Sequence, residues 1–114
     1  MISIDKDSQV ITVAIAGEFT LEDFRQFEDE ALYQAHLSGK VDILLDLRDM
    51  LSYTLDVAWE ELAFVREHGN EIRRVAVVTD NKWQAWSVWV SNLMTEAEVM
   101  VFSDYNEANE WVTD

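Results

Sequence analysis

Three aspartates are the residues of this sequence whose spacing could support chemistry. Asp46 and Asp80 each follow a run of apolar residues, in "ILLD" and "AVVTD", and Asp49 comes three positions after Asp46. If both runs are parallel strands, their carboxylates meet at one edge of the sheet, where α/β proteins commonly bind ligands. Three carboxylates could hold a hard cation such as Mg²⁺ and so permit metal- or phosphate-dependent chemistry at this edge.

The rest of the sequence argues against catalysis. The chain has no cysteine, its two histidines have no visible catalytic partner, no Ser/Lys or Ser/His arrangement is recognisable, and its three glycines form no phosphate-binding loop. Aspartates after strands also serve as ordinary loop starters and helix caps. We therefore predict a non-enzymatic protein without a cofactor or a metal, and keep chemistry at Asp46, Asp49 and Asp80 as the third alternative.

Two hydroxyls, Ser52 and Thr54, lie in the segment "LRDMLSYTLD", which we predict to be a loop before a helix. A phosphate added at a helix N-terminus would meet free backbone amides and the positive end of the dipole. However, Asp49 and Asp56 already place negative charge in this segment. We consider Ser52 and Thr54 as candidate phosphorylation sites but prefer a role as turn and capping hydroxyls.

The net charge restricts the partners. Lys and Arg number 8 and Asp and Glu number 23, so the formal charge is −15. Such a field repels nucleic acids and anionic membranes, and we predict neither a nucleic-acid partner nor a stable membrane association. The sequence contains no membrane-spanning apolar run and begins without signal-peptide features, which favours a cytoplasmic protein. The acidity indicates either simple solubility, including in a saline cytoplasm, or a partner with a basic face.

The pattern of apolar residues predicts a single layered α/β domain over residues 1–114. A leading antiparallel hairpin is followed by helix–strand three times and by a last helix, which gives a mixed, mostly parallel sheet of about five strands with four helices. Thr20 caps the first helix and Gly39 ends it; Asp104 and Glu107 have the spacing of a capping box for the last helix. The predicted strands are 2–4, 9–17, 40–47, 73–80 and 98–103, and the later helices are 56–68, 81–94 and 104–112.

The order of four segments resembles the SpoIIAA-like branch of the STAS domains. The segments are "AGEFTLEDF" after the second strand, "ILLDLRDM" at the third, "IRRVAVVTDNKW" through the fourth and "VFSDYNEANEWV" at the end. The resemblance implies a small α/β domain that binds other proteins, and in some relatives a small apolar ligand, without chemistry of its own. The family's phosphorylated serine lies in an Asp-Ser-Ser-Gly-like motif, and this sequence has no such motif around Ser52.

Two of the predicted helices carry more apolar residues than one buried face can hold. In "NKWQAWSVWV", Trp83 and Trp86 lie on the core side, Trp89 lies at its margin and Val88 lies nearly opposite. In the preceding helix, Phe64 lies away from the predicted core positions and Trp59 flanks them.

We interpret this surplus as a contact surface, because aromatic residues are enriched at protein interfaces. The predicted function is a non-enzymatic interaction module that presents helix surfaces to a protein partner or to a second copy of itself. The alternative is a pocket between the helices for a small apolar, lipid-like ligand. The residues assigned to the surface or pocket are Trp59, Phe64, Trp86, Val88 and Trp89.

Glu28 is the one polar residue near the apolar centre of the first helix, between Phe24 and Leu32. A buried carboxylate there needs a partner, such as an arginine, or a cavity, and burial would raise its pKa. We prefer the interpretation that a bend or an edge lets Glu28 reach water.

Overall fold

The structure, a computed structural model, describes residues 1–7, 10–54, 56, 60, 63–64, 67–80 and 97–114. Five strands, two complete helices and one 3-10 turn lie in these residues. They are β1 (Ile2–Asp7), β2 (Val10–Phe19), α1 (Leu21–Ser38), β3 (Val41–Tyr53), the 3-10 turn (Gly69–Glu71), β4 (Ile72–Val78), β5 (Glu98–Phe102) and α2 (Tyr105–Thr113).

The five strands form one mixed sheet in the order β1-β2-β3-β4-β5. β1 pairs antiparallel with β2, with Ile4 opposite Val13, and every other neighbouring pair is parallel. The predicted hairpin and the predicted mostly parallel sheet are both confirmed. Parallel neighbours that follow one another in sequence need crossover connections, and α1 supplies the one between β2 and β3.

Apolar side chains cover both faces of the sheet. On one face, α1 and Phe64 pack over Ile11, Val13 and Ile43. On the other, Ala108 and Val112 of α2 pack over Leu44, Ala76 and Val78. Central strands covered on both sides need apolar residues at consecutive positions, which explains the nearly continuous apolar runs of β3 and β4.

The ends of α1 are fixed by the residues that the sequence indicates. Thr20 Oγ1 accepts from the Asp23 amide at 3.3 Å, and Asp23 Oδ2 accepts from the Thr20 amide at 3.2 Å, so the two form a capping box. At the other end Gly39 has φ +91°, a conformation that disfavours any side chain, and its amide donates to the Ala35 carbonyl at 2.8 Å. The predicted start and stop of this helix are confirmed.

An ion pair with a buried carboxylate joins the starts of β3 and β4. Asp42, 5% of whose side chain is exposed, accepts two hydrogen bonds of 2.8 Å from the Arg73 guanidinium. Val41 lies opposite Ile72 but Asp42 lies opposite Arg74, so Arg73 is the additional residue of a bulge. The bulge turns a long cationic side chain back to a carboxylate that the sheet would otherwise bury alone.

Some predicted boundaries are wrong or untested. β3 runs six residues beyond its predicted end at Leu47. Asp104 is the N-cap of α2, but its side chain makes no capping hydrogen bond, so the predicted capping box is absent there. In the second predicted helix, the described residues are helical: Asp56, Glu60, Ala63, Phe64, Glu67 and His68. The third predicted helix, 81–94, lies outside the described residues.

Candidate functional site

The carboxyl end of β3 carries two bulges, and these shape the candidate site. Ala14 lies opposite Asp46 and Ala16 opposite Asp49, so β3 has one additional residue between them. This lets Leu47 and Met50, three positions apart, both point into the core. A second shift follows, in which Gly17 lies opposite Met50 and Glu18 opposite Ser52, so Leu51 is the additional residue.

The second bulge turns Leu51 outward. Its exposure is 67%, the highest among the described strand residues with large apolar side chains. Bulges commonly re-aim a side chain next to functional sites. Two acidic residues lie near Leu51 along the strands, Glu18 of β2 and Asp49 of β3, and both are exposed. We refer to Glu18, Asp49, Leu51, Ser52 and Asp56 as the acidic rim.

Asp46 is held by an arginine two residues later. The Arg48 side chain donates to both carboxylate oxygens, at 2.9 and 2.7 Å, and the Arg48 amide donates at 3.1 Å. Burial acts to raise the pKa of Asp46, but these hydrogen bonds and the Arg48 charge outweigh it and lower the pKa below its ordinary value. Because the Arg48 guanidinium also lies over the Tyr105 ring, 5.4 Å from its centre, the pair fastens the start of α2 to β3.

The three aspartates do not assemble into a metal site. Among the described residues, which include Asp46, Asp49 and Asp80, no group of three potential metal ligands is close enough to hold an ion. Asp46 is engaged by Arg48, and Asp49 and Asp80 are exposed. The geometry therefore gives no support to the third alternative, metal- or phosphate-dependent chemistry at these carboxylates.

The two candidate phosphorylation sites face carboxylates. Ser52 belongs to β3, not to the loop that we predicted, and its hydroxyl donates to Glu18 Oε2 at 3.5 Å. Thr54 follows the strand, and its hydroxyl donates to Asp56 Oδ1. A phosphate on either oxygen would meet a carboxylate in place of the hydrogen bond made now, so each site would need rearrangement to accept one.

Phe64 is not a surplus apolar residue. It is buried, with its ring edge-on to Phe24 at 5.9 Å and tilted against Phe27 at the same distance. The prediction that it contributes to a contact surface is wrong, because α1 lies over this side of the helix and extends the core there. Trp59, Trp86, Val88 and Trp89 lie outside the described residues, and their assignment stays a prediction.

Glu28 reaches water only in part. The side chain is half-buried, and Oε1 is fully buried with no hydrogen-bond donor. Burial raises the pKa of Glu28 to about 7, and the charge of Glu60 and a hydrogen-bonding contact with it act in the same direction. The alternative of a pairing with an arginine gains little support, since the charge of Arg25 lowers the pKa of Glu28 without cancelling the shift.

No described helix has both the length and the apolar character that a bilayer crossing requires.

Comparison with known proteins identifies the family. The SpoIIAA-like family model matches residues 10–113, while no curated protein matches the chain. A DUF3478-family protein with a SpoIIAA-like fold from Shewanella loihica PV-4 is 27% identical, with a TM-score of 0.74 over 98% of this chain and 92% of that one.

Two further solved structures share the fold at lower identity. An anti-sigma factor antagonist from Mycobacterium paratuberculosis is 15% identical, with a TM-score of 0.63 over 100% of this chain and 94% of that one. The anti-sigma factor antagonist SpoIIAA, in its unphosphorylated form, is 14% identical, with a TM-score of 0.67 over 99% and 98%. Since the family model covers nearly the whole chain, and the sheet and helices agree with these structures, the protein belongs to the SpoIIAA-like family.

Proposed function

We propose that this chain is a non-enzymatic, cytoplasmic regulatory module that acts by binding a protein partner. Membership of the SpoIIAA-like family supports the proposal, and so does the fold shared with two proteins that are anti-sigma factor antagonists. Of the three aspartates considered for chemistry, Asp46 is engaged in an ion pair with Arg48. Binding without chemistry is the function that this arrangement supports best.

The observation that carries the proposal is the outward turn of Leu51 within the acidic rim. The bulge exposes this apolar side chain to water. Without the bulge, the regular alternation of side chains along β3 would point it in a different direction. An exposed apolar side chain among polar groups offers a docking partner an apolar centre with a polar rim, the arrangement found in protein interfaces. The rim also lies where β2 and β3 end and α1 begins, so its position is set by rigid elements.

The charge of the rim defines the chemistry of the partner. Glu18, Asp49 and Asp56 are exposed residues close to Leu51 in strand register or in sequence, and Arg48, three positions before Leu51, is paired with Asp46. A partner should therefore present an apolar pocket bordered by lysine or arginine. A second copy of this chain fits poorly, because each copy brings a formal charge of −15.

The surface predicted from the helices extends this proposal. Trp59, Trp86, Val88 and Trp89 are proposed to enlarge the interface or, as the alternative function, to line a pocket for a small apolar ligand. Both readings rest on the sequence pattern, since these residues lie outside the described ranges. Phe64, which is buried, has no part in the contact surface.

The variant Leu51→Ser tests the rim. Full burial of a leucine is worth about 1.5–3 kcal/mol, and 67% of Leu51 is exposed before docking. Docking would therefore gain roughly 1–2 kcal/mol at this residue, or about 5- to 30-fold in affinity. The stability of the free protein should change by less than about 1 kcal/mol, because most of the side chain already lies in water.

Affinity capture from the source cells, followed by calorimetry with the captured protein, measures the effect. The matched control is Met100→Ser, which removes an exposed apolar side chain from β5. The proposal predicts that Leu51→Ser weakens binding, that Met100→Ser does not, and that added salt weakens binding of the wild type. Equal binding by all three proteins, or a loss confined to Met100→Ser, contradicts the assignment of the rim.

A further inference from the structure

Glu28 and Glu60 form a carboxyl pair between α1 and the helical residues that follow β3. Glu28 projects from the middle of α1, and Glu60, one of the described helical residues after β3, lies close enough for its charge and a side-chain contact to raise the pKa of Glu28. Glu28 Oε1 is fully buried and receives no hydrogen bond from a donor. Two ionised carboxylates offer only acceptors, so the contact becomes a hydrogen bond only when one of them carries a proton.

The surroundings favour that proton. Phe24 precedes Glu28 by four positions and Phe64 follows Glu60 by four, and the rings of Phe24, Phe27 and Phe64 pack against one another at 5.7–5.9 Å, which joins α1 to the helical residues after β3. A negative charge next to these apolar rings is poorly solvated, and a second one beside it is repelled.

The charged groups that act on Glu28 lie on both helices. On α1, Arg25 favours the ionised form of Glu28 and Asp29 opposes it, and on the facing helix Glu60 opposes it. His68 is a further titratable group of this region. Its ring lies 5.5 Å from that of Phe64, and its Nδ1 pairs with Glu71 at 3.1 Å. An experiment on the pair must therefore observe the glutamates separately from the histidine.

We propose that Glu28 and Glu60 share one proton and form a pH-sensitive contact that fastens the helix after β3 to α1. With the proton in place, an acid–carboxylate hydrogen bond links the two helices beside the phenylalanine cluster. When the proton leaves, two like charges face each other at the same point and push the helices apart. This inference is independent of the acidic rim and of any partner.

The direction of the pH dependence follows from the pKa of Glu28, which is raised from an ordinary value of 4.5 to about 7. Between these values the folded protein binds a proton that the unfolded chain has lost. The contribution of the pair to stability is therefore fully present below pH 4.5 and disappears as the pH rises through about 7. Physiological pH lies at the upper end of this window. Modest pH changes therefore alter the fraction of molecules in which the carboxyl pair holds its proton.

The test is a carbon-detected NMR titration of the glutamate carboxyl groups from pH 4 to pH 9. Glu28→Gln and Glu60→Gln assign the two signals, and Glu110→Gln, an exposed position on α2, is the matched control for the loss of one negative charge. Phenylalanine ring signals report the helix contact in the same samples. Unfolding by urea at pH 5 and pH 8 reports stability.

The proposal predicts a Glu28 midpoint near pH 7 in the wild type, a shift toward the ordinary range in Glu60→Gln, and ring-signal changes with the same midpoint. Glu28→Gln should lose stability less steeply than the wild type between pH 5 and pH 8, while Glu110→Gln should follow the wild type. An ordinary Glu28 midpoint in the wild type overturns the proposal even if no variant folds. An unchanged midpoint in folded Glu60→Gln overturns it as well.

Discussion

The ion pair between Asp42 and Arg73 should respond very differently to removal of its two members. The Asp42 side chain is 5% exposed and that of Arg73 is 42% exposed, although the same two hydrogen bonds join them. Removing the arginine leaves an almost fully buried carboxylate in the sheet without its cation. Removing the aspartate leaves a guanidinium that can turn into solvent on its flexible stem.

The magnitudes follow from that difference in burial. Arg73→Met keeps the alkyl stem but leaves the buried Asp42 carboxylate without a cation. Such a loss typically lowers the free energy of unfolding by about 3–5 kcal/mol. Asp42→Ala loses charge-assisted hydrogen bonds worth about 1.5–3 kcal/mol but also removes the desolvated carboxylate, so we expect a net loss of roughly 1–2 kcal/mol. The double variant leaves no buried charge without a partner, so its stability should resemble that of Asp42→Ala. The double-mutant cycle should therefore give an interaction free energy of a few kcal/mol between the two residues.

Urea unfolding at pH 7, followed by tryptophan fluorescence and circular dichroism, measures all four proteins. The free energy of unfolding should fall with urea concentration at the same slope in all four proteins. Equal slopes show that the variants differ in stability and not in the compactness of the unfolded state. The reasoning is refuted if Asp42→Ala is as destabilising as Arg73→Met, because the cost would then not depend on which charge is left in the sheet.

Two further predictions concern the helices. Phe64→Ala should destabilise the protein by about 3–5 kcal/mol, since it empties the space between Phe24 and Phe27; a loss below about 1 kcal/mol in thermal or urea unfolding would show that Phe64 lies at a surface. Thr20→Ala should cost about 1 kcal/mol through loss of the capping box, and hydrogen exchange should show faster exchange confined to the first turn of α1; unchanged exchange at the Asp23 amide would contradict the capping contact.

Much of the fold could be predicted from the sequence because local and tertiary signals agree. Thr20 and Gly39 bound α1 by chemistry that operates within a few residues. The apolar runs of β3 and β4 indicate burial on both faces, which requires helices above and below a parallel sheet. The family resemblance rests on the order of these same elements.

The features that sequence reasoning missed depend on contacts between distant residues. The bulges of β3 exist only relative to the register with β2, so the outward turn of Leu51 has no local sequence signal. Phe64 was placed at a surface because the helical wheel describes one helix and not the α1 helix that covers it. Glu28 was recognised as oddly placed from its helix alone, but its neighbour Glu60 lies 32 positions away and could be identified only from the structure.

Native mass spectrometry of the protein isolated gently from its source cells shows whether the chain acts by binding another protein. This measurement reports bound polypeptides, copy number and retained small molecules together. Our account predicts one copy of the chain with a second, different polypeptide, and dissociation of that complex in Leu51→Ser. A chain that carries only a small apolar molecule, or a complex that persists in Leu51→Ser at equal abundance, would contradict it.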